Sequence, residues 1–192
     1  MNINTKSQQA VGQQQTQFMK RIPNSVSATL GLALMAAGIL MTPANAKGQT
    51  TVSTADKDFI LAAAQGGMTE VKLGELAGSN GTREDVKEFG RMMVKDHGII
   101  NDDLKALAAQ KGVTLTETVD AKHQGKLDKM SALTGAEFDN AYIAAMIKGH
   151  KQVASEFKAE YATTQDSDIK SFLDKSMPVV QEHLKHITAM KK

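Results

Sequence analysis

From Glu84 to Lys111 the apolar residues Val86, Phe89, Met93, Ile100, Leu104 and Leu107 recur at three- and four-residue steps, and His97 fills the position that continues the stripe. This spacing lays one apolar face along an α-helix. At 1.5 Å per residue such a helix is about 40 Å long, too long a stripe to be hidden without partner helices of similar length. Three such partners are present. The first runs from a start at Ser53-Thr54-Ala55-Asp56, where a hydroxyl cap is followed three residues on by an acid, to about Ala77. Two faces compete on it: Phe59, Ala63, Gly66, Glu70, Leu73 and Ala77 form one, and Ile60, Ala64, Gly67, Val71 and Gly74 the other. Both are rich in Ala and Gly, so close approach to a neighbour is expected.

Ser79-Asn80-Gly81 reads as a turn, Thr82 to Asp85 as the cap of the next helix, and Gly112 as its C-terminal stop. So short a link predicts an antiparallel hairpin. Residues 113–135 are polar, with a short helix expected from about Thr118 to Leu133 carrying His123, and are long enough to cross along the bundle. Thr134-Gly135-Ala136-Glu137 matches a capping box. It opens a helix to about Ala162 with Phe138, Tyr142, Met146, His150, Val153, Phe157 and Tyr161 on its stripe. The last helix, about Asp168 to Met190, faces inward with Ile169, Phe172, Ser176, Val180, His183, Ile187 and Met190, and Pro178 predicts a kink. Nothing reads as a strand. The expected fold is all-α: a four-helix bundle with a crossover segment that carries a short extra helix. A weak repeat, Val86-Lys87-Glu88-Phe89 against Ile169-Lys170-Ser171-Phe172, supports two related hairpins.

The N-terminus follows a different rule. Lys20 and Arg21 precede an apolar run from Val26 to Met41, which ends in Pro43-Ala44-Asn45-Ala46. This is the order of a secretory signal peptide, and the run is shorter than the roughly 20 residues of a membrane span. The expected organisation is a signal peptide over 1–46 cleaved after Ala46, a polar lead over 47–53, and the bundle domain over 54–192, in the periplasm. Removing Lys6, Lys20 and Arg21 leaves 20 of the 23 basic side chains against 21 acidic ones. The mature domain is thus near neutral, without the basic surface that nucleic acid requires. The absence of cysteine excludes disulfides, thiolate metal sites and cysteine nucleophiles.

Several segments carry a resemblance: Asp58-Phe59-Ile60, Ala64-Gln65-Gly66-Gly67-Met68, Phe89-Gly90-Arg91-Met92-Met93-Val94-Lys95-Asp96-His97, Leu104-Lys105-Ala106-Leu107-Ala108 and Glu182-His183-Leu184. With these the chain resembles a bacterial domain-of-unknown-function family of exported ferritin-like proteins, often labelled predicted outer membrane proteins. The resemblance implies a ferritin-like four-helix fold and no settled activity. Barrel strands would alternate with period two, whereas this chain carries helical stripes.

The candidate chemistry is a metal site. His97, His150 and His183 lie on three inward stripes at similar depth, so their imidazoles are placed to share one ion. Glu70, Asp96 and Glu182 are candidate carboxylate helpers. Met93 and Met146, each four residues before a histidine, would favour copper, with zinc or iron as alternatives. The di-iron signature needs Glu-x-x-His on two helices. Residues 94 and 180 are valine and 147 is isoleucine, so ferroxidase chemistry of that kind is not expected. No nucleophile elbow, phosphate loop or catalytic carboxylate pair is present, and Asp102-Asp103 reads as a solvated face. Two readings follow. One is a non-enzymatic envelope or stress-related interaction domain with structural histidines, its partner another envelope protein or a second copy. The alternative is a periplasmic metal-binding or metal-redox bundle, whose ion should be lost as pH falls through about 6.5, the free imidazole value.

Overall fold

The computed structural model describes residues 52–190. The expected signal segment, 1–46, lies outside them. Five helices occupy the described chain: α1 (Thr54–Asn80), α2 (Glu84–Gln110), α3 (Ala121–Ser131), α4 (Gly135–Thr163) and α5 (Ser167–Ala189). Among the described residues no strand occurs and no helix is long and apolar enough to cross a membrane.

Contacts at the helix ends set the topology. Asp139, at the start of α4, accepts from the backbone N–H groups of Thr82 and Arg83 and from the Thr82 hydroxyl, ahead of α2. Lys111, just past the end of α2, pairs with Asp166 and Asp168 at the start of α5. The α2 and α4 starts therefore share one end of the bundle, so these helices run parallel, and residues 113–134 carry the chain back along its length. The α1–α2 and α4–α5 pairs are antiparallel hairpins, α1 also packs on α4, and α2 on α5. Two hairpins joined by one crossover is the connectivity of ferritin-like bundles. The short helix α3 lies in the crossover against α1, shorter at both ends than expected and capped by Asp120.

The caps agree only partly with the sequence. Ser53 Oγ accepts from the Asp56 N–H as expected, and Gly112 takes a positive φ of 68° beyond α2. Thr134 occupies the cap of α4 but its hydroxyl makes no capping bond, and Gly135 has a φ of 64°. The start of α2 is capped by Asp139 from another helix rather than by a local side chain. Pro178 is exposed and lies within a single helix.

The competition between the two faces of α1 is resolved by using both. Ile60, Ala64 and Gly67 are buried early and Glu70, Leu73 and Ala77 later, so the buried face shifts along the helix. On α5 all seven expected inward residues are buried. On α4 Tyr161 is exposed, with the Lys170 ammonium over its ring, a correction to the expected stripe.

The apolar core is divided. One cluster gathers Leu73, Phe89, Met93, Tyr142, Met146 and Ile187, and the other Ile60, Ala64, Leu104, Phe157, Leu173 and Val180. Between them along each long helix sits one buried ionisable residue: Glu70 on α1, His97 on α2, His150 on α4 and His183 on α5.

Candidate metal centre

Burying four ionisable side chains in one layer of a bundle is unfavourable unless each finds partners. The partners found here occupy only one nitrogen of each imidazole. His97 Nδ1 lies 3.1 Å from Glu70 Oε2. His150 Nδ1 donates to the Met146 carbonyl at 2.9 Å, with Glu70 Oε1 a further 3.8 Å contact. His183 Nε2 lies 3.1 Å from Asp96 Oδ2 on α2.

These partners fix the tautomers. A carbonyl only accepts, so His150 carries its proton on Nδ1. A carboxylate likewise draws the His183 proton to Nε2. The nitrogens left over are His97 Nε2, His150 Nε2 and His183 Nδ1, and all three are buried without a hydrogen-bond partner. The rings stand in a nearly equilateral triangle, with centroids 5.7, 5.2 and 5.5 Å apart. One nitrogen from each lies within 4.8 Å of the other two. Phe89 closes the layer on one side, its ring 6.3 Å from that of His150 and 6.1 Å from that of His183.

The electrostatics keep three of these groups, Glu70, His97 and His150, uncharged at neutral pH. Burial, reinforced by the neighbouring rings, pushes His97 down to about 3. Burial likewise lowers His150 to about 4, against the opposing effect of the Met146 carbonyl. Burial raises Glu70 to about 8. At pH 7 the Glu70 carboxyl and the His97 imidazole are therefore both uncharged.

The sequence-derived helpers separate. Glu70 and Asp96 each hold a histidine, and Asp96 serves His183 on the neighbouring helix rather than His97 beside it. Glu182 is exposed and pairs with Lys185. Met93 and Met146 are buried in the apolar cluster with Phe89. His123 pairs with the α3 cap Asp120, and His186 is exposed. What the sequence did not reveal is a cavity of about 430 Å³ reaching the layer from the α1–α4 side, with His97, Glu70 and Asn101 among its lining. Its only sequence trace is Gly66-Gly67.

The fold has solved counterparts. A DUF305 fragment from Deinococcus radiodurans superposes with a TM-score of 0.63 at 9% identity, over 72% of this chain and 95% of that one. CopM in its Cu(I)-bound form superposes with a TM-score of 0.59 at 17% identity, over 70% of this chain and 94% of that one. At such identities the likeness concerns the fold alone. No curated protein matches the chain. The model of a family described as Domain of unknown function (DUF4142) matches residues 41–190, nearly the whole of the bundle, and the chain belongs to that family.

Proposed function

We propose that this protein is an exported bundle that holds one transition-metal ion on His97 Nε2, His150 Nε2 and His183 Nδ1. The observation that carries this is the set of three buried, unpartnered nitrogens. Most buried side-chain polar atoms are paired, and beside isolated exceptions at Asn101, Tyr142 and Glu160 these three rings leave one atom each unsatisfied in one layer. Their other nitrogens are held by the Glu70 carboxyl, the Met146 carbonyl and the Asp96 carboxylate, the kind of partner that orients metal-ligating imidazoles. For tetrahedral binding at about 2.1 Å, the nitrogens would stand about 3.4 Å apart, closer than the 4.8 Å within which one nitrogen of each ring now lies, so the rings would have to draw together on the ion.

Three imidazoles suit copper, zinc or iron. Copper is the first candidate, supported by the Cu(I)-bound relative of this fold. The interaction-domain reading has less behind it: the large exposed apolar side chains among the described residues are Ile99 and Tyr161, on different helices. Export rests on Lys20, Arg21, the apolar run to Met41 and Ala44-Asn45-Ala46. Mass spectrometry of protein from the cell envelope should give an N-terminus at Lys47, and an intact Met1 refutes export.

Equilibrium dialysis against Cu(I), Zn(II) and Fe(II) tests the centre. One ion per chain is expected, with a gain of about 2.7 kcal/mol in stability at a hundredfold excess over its dissociation constant. His97→Gln should abolish both. If no ion raises the melting temperature at neutral pH, the histidines are structural.

A further inference from the structure

The cavity beside the triad is much larger than an ion needs. At about 430 Å³ it falls within the range of small-molecule sites. Exposed Asp58, Ala62 and Glu156 line its outer part, so it opens to solvent, and His97 and Glu70 line its inner part. Its walls are aromatic: Phe59 and Phe157 meet edge to face at 5.7 Å, and Phe172 adjoins Phe157 at 6.1 Å. His97, 3% exposed, lines it and has its Nε2 unpartnered.

Gly66 supplies a second, independent observation. A glycine inside a helix is disfavoured relative to alanine, and its usual justification is close packing. Gly67, Gly74 and Gly90 have that justification, since a Cβ on any of them would clash with α1 or α2. A Cβ on Gly66 would meet nothing within 4 Å, as is also true of Gly78, Gly98 and Gly125, but of these four helical glycines Gly66 alone lines the cavity. The missing side chain keeps space open rather than bringing helices together.

Building on the metal reading, we infer that this cavity is a binding chamber for a neutral, largely apolar small molecule, which reaches the ion on the His97 side and coordinates it through a nitrogen or oxygen lone pair. Three protein ligands leave a tetrahedral ion one position for an outside molecule. The apolar walls select an uncharged body, and the Asp58 and Glu156 carboxylates in the outer part disfavour anions.

The probe is 4-phenylimidazole, with imidazole as its counterpart lacking the apolar body. Each is titrated into the Cu(II)-loaded protein and followed by electron paramagnetic resonance, with copper content measured before and after. The copper signal should change with both, and 4-phenylimidazole should bind at least about tenfold more tightly through burial of its ring. Gly66→Leu should narrow the chamber on the α1 side, raise the melting temperature, keep one copper per chain and weaken that preference. Ala63→Leu, from the same wall, serves if Gly66→Leu does not fold. A copper signal unmoved by 4-phenylimidazole overturns the chamber while leaving the metal centre intact. Equal affinity for the two probes, or a preference unchanged in the narrowed chamber, overturns it as well. Failure to take up copper, zinc or iron overturns the metal centre and the chamber with it.

Discussion

Gly74 and Gly90 meet backbone to backbone between α1 and α2: a Cβ on either would stand 2.7 Å from the carbonyl oxygen of the other. A Cβ on Gly90 would also come within 2.6 Å of the Ala77 methyl. Neither obstacle is a flexible side-chain end, so the helices themselves would have to part. Gly90→Ala should therefore destabilise by about 1–3 kcal/mol, the range for overpacking, despite gaining up to about 1 kcal/mol in helix propensity. Gly66→Ala, with open space around it, should show the opposite sign. Urea denaturation of the two variants checks this, and a shared sign would mean that the α1–α2 spacing is wrong.

Phe89 is fully buried and its ring contacts those of Tyr142, His150, His183 and His186. Phe89→Ala should lose about 3–5 kcal/mol, a large part of the 5–15 kcal/mol that is typical of a domain. Because the ring also closes the histidine layer, metal affinity should weaken in whatever fraction stays folded. A loss near zero by denaturant titration would show that the α2 stripe does not face the core.

The stripes made the bundle legible because three of the four long helices have one apolar face only: on α5, Ile169 through Met190 are all buried as spaced. On α1 small residues on both faces leave periodicity undecided, and the buried face turns along the helix. Tyr161 fits the α4 period yet lies within a turn of the helix end, where less of the bundle covers it. The three histidines were visible as polar residues on apolar stripes. Their partners were not, since Asp96 meets His183 across 87 residues and Asp139 caps α2 from 56 residues away. Glu182 shows the converse: adjacent residues on a helix point in different directions, so being next to His183 in sequence places it in solvent.

Metal binding should survive acid better than the free imidazole value of about 6.5 suggests. A protonated ring cannot ligate, but burial holds His97 near 3 and His150 near 4 in the folded protein. Protons therefore begin to compete for these nitrogens only well below pH 5. The metal-induced rise in melting temperature, measured by calorimetry with and without the ion, should reach further into acid than His97 and His150 would allow as free imidazoles. A rise that vanishes with a midpoint near 6.5 would mean that the rings are exposed to solvent before the ion binds.

Glu160 gives the apoprotein a pH dependence of opposite direction. Burial, together with the Asp56 side chain hydrogen-bonded to it, raises its carboxyl from 4.5 to about 7. Asp56 stays low because its bonds to Thr164, Ser53 and Glu160 outweigh its own desolvation, so the shared proton sits on Glu160. The folded state keeps that proton between pH 4.5 and 7 while the unfolded chain has released it. Stability falls with rising pH wherever the native state binds more protons. This contribution is complete below about pH 4.5 and gone above about pH 7. Glu160→Gln retains a donor toward Asp56 at every pH and should remove this part of the slope. Melting temperatures at pH 5 and 7.5, in the presence of chelator, should fall further in the wild type than in the variant, since Glu70, His97 and His150 titrate alike in both. Equal falls would show that Glu160 is ionised in the folded protein at pH 5.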